Sequence, residues 1–103
     1  MIIKAYNESH KYLLFIDLEF SNQELVQFAG LLFNRIEDDT YQLARSINVY
    51  ISRKVCYPFM EYTSITNNFL EENGIPIGDA KALIMEDFLD GIPLTELEVI
   101  SHG

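Results

Sequence analysis

Residues 12–16 (YLLFI) form a short, uninterrupted apolar run of strand-forming side chains. Such a run predicts a strand buried on both faces near the centre of a sheet. Residues 24–33 (ELVQFAGLLF) make a second apolar stretch, long enough for a helix, but Gly30 and the aromatic content favour a strand. The polar residues 34–40 (NRIEDDT) then read as a turn. From Tyr41 the pattern has a period of two. Tyr41, Leu43, Ile47, Val49 and Ile51 alternate with Gln42, Ser46, Asn48 and Ser52, and Arg45 interrupts the series. This predicts a half-buried third strand, and three strands with short links predict an antiparallel meander.

Helical signals follow. Thr66 is placed to cap a short helix carrying Phe69 and Leu70 and ending at Asn73-Gly74. After Pro76, the residues Ala80, Leu83, Ile84 and Phe88 fall on one helical face, with Asp79 in the first turn and Gly91 as the stop. Pro93 bends the chain, and Glu98-Val99-Ile100-Ser101 reads as the opening of a strand that returns beside the first. The expected fold class is α/β: three antiparallel strands, two helices and the start of a parallel strand.

With 103 residues the chain is one domain at most, and its composition of 49% hydrophobic and 22% charged residues excludes a disordered segment. No apolar run reaches the ~20 residues of a membrane span, so no membrane partner is expected. A single cysteine, Cys56, without a Cys/His cluster points away from structural disulfides and zinc, and to a reducing, cytoplasmic setting. The net charge of −9 is uneven: from Glu61 onward Lys81 faces nine acidic residues, whereas the first sixty residues are nearly balanced. Such acidity is unusual for a protein that handles phosphate backbones. It fits solvated acidic helices, or carboxylates that hold divalent cations.

The candidate chemistry sits at the end of the first strand. In Phe15-Ile16-Asp17-Leu18-Glu19-Phe20, a strand aims Asp17 and Glu19 to one face, with Cα atoms ~6.5–7 Å apart, and Leu18 to the other. Two acids there are either a solvated strand end or ligands for a hard cation such as magnesium. His10 lies in a polar lead-in and is expected on the surface, and Tyr57 and Tyr62 are expected in a loop.

Residues 15–20 resemble the first motif of the DnaQ-like, DEDD-type 3′-to-5′ exonucleases, whose domain has a ribonuclease H-like fold. Residues 24–30 (ELVQFAG) resemble that family's second strand, 64–70 (SITNNFL) its loop-to-helix segment, and 74–88 its following helix. Val99-Ile100-Ser101-His102-Gly103 looks like the start of the second motif. The resemblance implies that Asp17 and Glu19 are the catalytic, metal-holding residues for two Mg²⁺ or Mn²⁺ ions. It implies that Phe20, Ile65 and Thr66 contact substrate, the 3′ end of single-stranded DNA or RNA. Core packing explains Phe20 and Ile65 as well, and a helix cap explains Thr66. Phe20 stands where many members carry Thr, and Gly103 where Asn is common. The second-motif Asp and the whole third motif are not among these residues. The expectation is therefore a single exonuclease-like domain over residues 1–103 that stops short of a complete site. As an isolated chain it is inactive, or it works as a shortened paralogue, a self-associating or regulatory module forming a homo-oligomer.

Overall fold

The computed structural model describes residues 1–101. Strands β1 (Ile2–Lys4), β2 (Tyr12–Ser21), β3 (Glu24–Glu37) and β4 (Thr40–Tyr50) precede helices α1 (Tyr57–Thr63), α2 (Asn67–Asn73) and α3 (Ile77–Ala82). Helix α3 runs on into a π-helical turn, Leu83–Phe88; a 3₁₀ turn at Leu94–Glu96 leads into β5 (Leu97–Ser101). The five strands form one sheet in the order β1-β4-β3-β2-β5. All neighbours are antiparallel except β2 and β5, which are parallel. The fold class is therefore as expected, an α/β layered domain with a partial ribonuclease H-like arrangement.

Local chemistry explains the elements. Asn22 and Gln23 both adopt positive φ, 50° and 66°, in the two-residue link between β2 and β3. That backbone matches the twist of a tight hairpin. Arg45, which breaks the alternation in the sequence, marks a bulge: Leu32 pairs with Arg45 and Phe33 with Leu43, leaving Ala44 without a direct partner. The displaced Arg45 guanidinium reaches across to donate to the Phe88 and Asp90 carbonyls at 2.9 and 2.8 Å. These are carbonyls at the end of the π-helical turn, which Gly91 (φ 74°) closes. Thr66 caps α2 as expected, its hydroxyl accepting from the Phe69 amide at 3.1 Å.

Three features differ from the sequence reading. Residues 34–37 continue β3 rather than forming a turn, and only Asp38-Asp39 turns the chain. Ile2–Lys4 adds an edge strand on β4, which two apolar residues before a lysine are too few to announce. Tyr57 and Tyr62, expected in a loop, lie on α1, with Pro58 in its first turn, where a missing amide proton costs nothing.

Apolar packing covers the two sheet faces unequally. On one face Leu14, Leu32 and Phe88 are buried together, joined by Val49, Ile51 and Ala80 beneath α3. Beyond the sheet end, Val26, Val55, Phe59, Ile65 and Leu70 pack α1 and α2 against it. Among the described residues the second face is closed towards β1 and, at the opposite end, by Phe69 of α2 against Tyr50. Towards β1, Leu13, Phe33 and Tyr41 are buried against Ile3 and Ala5, and the Tyr41 hydroxyl donates to the His10 carbonyl at 2.5 Å. His10 is not a free surface residue: it binds Glu8 at 2.6 Å and lies 3.7 Å from Glu98 of β5. This hydrogen bond holds the Glu8 carboxyl below the usual carboxylate range.

Gly74 shows how tightly the crossover is seated. It follows α2 where the chain passes β4, with the Ile75 amide on the Tyr50 carbonyl and the Ser52 amide on the Ile75 carbonyl. A Cβ at Gly74 would lie 2.6 Å from the Leu70 carbonyl and 2.8 Å from the Ser52 amide nitrogen, both backbone. Gly74→Ala is therefore expected to destabilise by about 1–3 kcal/mol, read as a lower urea midpoint with an unchanged slope. An unchanged midpoint would show that the crossover tolerates displacement.

Candidate functional site

Register places the two acids of β2 side by side on the face that α3 leaves open. Asp17 pairs with Ala29 and Glu19 with Gln27, both before the bulge that separates Glu19 from Phe20. Strand alternation then aims both carboxylates to the same side, as expected. Asp17 is exposed and Glu19 half-buried. Neither makes a side-chain hydrogen bond or ion pair to another described residue.

The same register extends the site across three strands. Ala29 pairs with Asn48 and Gln27 with Tyr50 on β4, and one row away Phe15 pairs with Leu31 and Leu31 with Ser46. The open face thus carries three rows: Phe15, Leu31, Ser46; Asp17, Ala29, Asn48; and Glu19, Gln27, Tyr50. Gln27 Nε2 donates to Asn48 Oδ1 at 2.8 Å and to the Tyr50 hydroxyl at 3.3 Å. The Tyr50 ring is fixed edge-on against Phe69 of α2, with centroids 4.7 Å apart. Sequence reasoning missed Gln27 and Tyr50 as site residues. The alternation around Asn48 is visible in the sequence, but which side chains meet depends on register across three irregularities, at Glu19/Phe20, Leu32/Phe33 and Arg35/Glu37.

The other expected site residues lie elsewhere. Phe20 is 52% exposed, one position after Glu19, so alternation turns it towards the opposite side of the strand. Ile65 is buried in the α1–α2 core cluster. The Thr66 hydroxyl is occupied by its cap. The second-motif resemblance at His102 and Gly103 falls outside the described residues.

The donor set of Asp17 and Glu19 suits one hard divalent cation, which would complete its shell with water and phosphate oxygens. Among the described residues, no group of three or more His, Cys, Asp or Glu side chains gathers at one point. A two-ion cage needs more ligands than these.

No protein-family model matches the sequence, and no curated protein matches it. Solved structures do match in fold. One is a crystal structure of a full-length 3′-exonuclease, with a TM-score of 0.65 and 14% identity over 93% of this chain and 48% of that one. Another is a 3′-exonuclease in 3′-end-specific recognition of a histone mRNA stem-loop, with the same TM-score and identity, over 94% of this chain and 48% of that one. The chain spans about half the length of these structures. At such identity the likeness is one of fold.

Proposed function

We propose that the chain carries the first part of a DnaQ-like 3′-to-5′ exonuclease site and binds a 3′-terminal nucleotide of DNA or RNA through a divalent cation at Asp17 and Glu19. The observation that carries this reading is the adjacent carboxylate pair on the open sheet face, in a fold similar to that of 3′-exonuclease structures. Mg²⁺ or Mn²⁺, when bound, would polarise a phosphoryl oxygen and acidify a water. The chain's own contribution is to hold the acids on the second-last strand of a five-stranded sheet, and to present a surface beside them. Phe20, exposed past the bulge, is free to stack on a neighbouring base. Ile65 and Thr66 act through architecture, seating α2 and thereby Phe69 and Tyr50.

With two carboxylates and no assigned general base, the isolated chain is expected to bind the cation weakly and to cleave little or nothing. Two measurements test this. Mn²⁺ should broaden the amide signals of residues 17–19 and 27–29 selectively, and a labelled single strand with Mn²⁺ should stay intact. Absence of selective broadening removes the metal site. Robust shortening that depends on Asp17 overturns the inactivity.

One observation favours a second reading, a non-catalytic self-associating module. Strand β5 lies at the sheet edge with Val99 49% and Ile100 36% exposed, an apolar edge able to recruit another strand. A compact monomer at high protein concentration in sedimentation would exclude it.

A further inference from the structure

Strand β1 covers only residues 40–42 of β4, with one further bond from the Leu43 amide to the Met1 carbonyl. At the other end Ile75 closes the edge, its amide on the Tyr50 carbonyl and its carbonyl accepting from the Ser52 amide. Between these two clamps nothing among the described residues pairs with the outer side of β4. Alternation says which groups are left there. The Ile51 amide donates to the Val26 carbonyl of β3, so Ile47, Val49 and Ile51 turn their backbone groups inwards to β3. Ser46, Asn48 and Tyr50 turn theirs outwards. The amides of Ser46, Asn48 and Tyr50 and the carbonyls of Ser46 and Asn48 have no backbone partner among the described residues.

A cavity of about 660 Å³ runs along this stretch. Every residue from 45 to 50 lines it, from both sheet faces, which a cavity can do only by following the edge of the strand. Leu83, Asp87 and Phe88 of the π-helical turn form its wall, and Asn73 and Ile75 its end. We propose that this gap is a strand-addition site for an extended, basic segment of a partner protein. From Ala44 to Tyr50 the gap spans about 20 Å, room for about six residues at ~3.4 Å each. The outward backbone row supplies the hydrogen bonds, and the alternation of β4 sets the side-chain pattern. Every second side chain of the segment lies beside Ile47, Val49 and the exposed Leu83, and is apolar. Those between lie beside Ser46 and Asn48, and are polar.

Charge and length select the occupant. The helical layer beside the gap carries Glu71, Glu72, Asp79, Glu86, Asp87 and Asp90 against Lys81, so the field there is negative. Asp87, on the wall itself, is exposed and forms no ion pair among the described residues. Arg45, the cation of the lining, is already committed to the Phe88 and Asp90 carbonyls. A segment with Lys or Arg at its ends is therefore attracted, whereas a second copy of this chain, at a net charge of −9, is repelled. A second β4 is also too long. Its 11 residues and its own β1 run into Ile75 at one end of the gap or Met1 at the other. The site is independent of a cation at Asp17 and Glu19, because it uses the outer edge of β4 and not the open face.

The test is amide hydrogen exchange and a nuclear magnetic resonance titration of the full chain with an acetylated, amidated peptide of sequence KVTVTVK. In the free chain the Ser46, Asn48 and Tyr50 amides should exchange about a hundredfold faster than those of Ile47 and Val49. Peptide at about ten times its dissociation constant should slow those three amides about tenfold and shift them saturably. The charge-reversed peptide EVTVTVE should bind about tenfold more weakly at low salt. Asn48→Pro removes an outward amide and no bond of the β3–β4 ladder, so it should keep the fold and abolish the protection. Leu83→Lys, at an exposed position, should weaken KVTVTVK about tenfold by replacing an apolar wall with a like charge. Slow exchange of Ser46, Asn48 and Tyr50 in the free chain at every concentration would mean that the edge is already paired, and would overturn the site. Protection that grows with protein concentration and needs no peptide would give the edge to a second copy, and would overturn the proposed partner. Equal binding of the two peptides would overturn its basic character. Shifts that miss Ser46, Asn48 and Tyr50 would overturn strand addition itself.

Discussion

Replacing Phe88 by alanine should destabilise the domain by about 3–5 kcal/mol, the range for removing a buried aromatic side chain. The residue is 5% exposed and packs with Leu14 and Leu32 beneath the π-helical turn. Its ring rests directly on the middle of the sheet: a Cβ added at Gly30 would lie 3.2 Å from both Phe88 Cε2 and Cζ. Collapse into the vacated space is restricted, because Arg45 ties the Phe88 and Asp90 carbonyls to β4. A cavity therefore persists, which places the cost at the upper end of the range. A domain of this size has about 5–15 kcal/mol in total, and each kcal/mol corresponds to roughly 4–8 °C. The melting midpoint should fall by on the order of 15–30 °C, measured by circular dichroism. A shift of only a few degrees would mean that the turn repacks and that Arg45 does not hold it.

That dependence on Phe88 was partly legible in the sequence. Ala80, Leu83, Ile84 and Phe88 announce an apolar helical face by spacing alone, and Ala80 and Phe88 are buried. Leu83 instead is 42% exposed, and the stretch from Leu83 onward winds as a π-helix, with the Leu89 amide on the Ile84 carbonyl. Strands β2 and β4 were readable from period and β-propensity, and Thr66 from its cap chemistry. Strand β1 was not, since its stability comes from pairing with residues 40–42 and not from any pattern of its own.

The site divides in the same way. That Asp17 and Glu19 share a face follows from two-residue periodicity and needs no tertiary information. Their neighbours Ala29, Asn48, Gln27 and Tyr50 are selected by register, and register here depends on irregularities at Glu19/Phe20, Leu32/Phe33 and Arg35/Glu37. A one-residue slip would turn Asn48 to the other face. Ile65 was placed near substrate by family resemblance, yet at 8% exposure its side chain is committed to the α1–α2 core. A resemblance in sequence order cannot separate a residue that touches a ligand from one that supports the residue that does.

Substituting the carboxylates should separate binding from folding. Asp17→Asn and Glu19→Gln are each expected to reduce Mn²⁺ affinity by on the order of 100-fold, the upper end of the 10–100-fold range for supporting residues around a metal. The reason is geometric. Two acids on one strand face grip a cation together, and either one alone is an ordinary surface carboxylate with no further ligand gathered beside it among the described residues. The double substitution should therefore add little to either single one, a non-additivity characteristic of two groups acting as a unit. Stability should not follow affinity. The two side chains form no ion pair among the described residues and lie on the open face, so each change should stay within about 0.5 kcal/mol. Paramagnetic broadening by Mn²⁺ and thermal melts on the same four proteins provide both readouts. If each single substitution instead lowers the melting midpoint by many degrees while Mn²⁺ broadening persists, the acids serve the fold, and the cation belongs somewhere else.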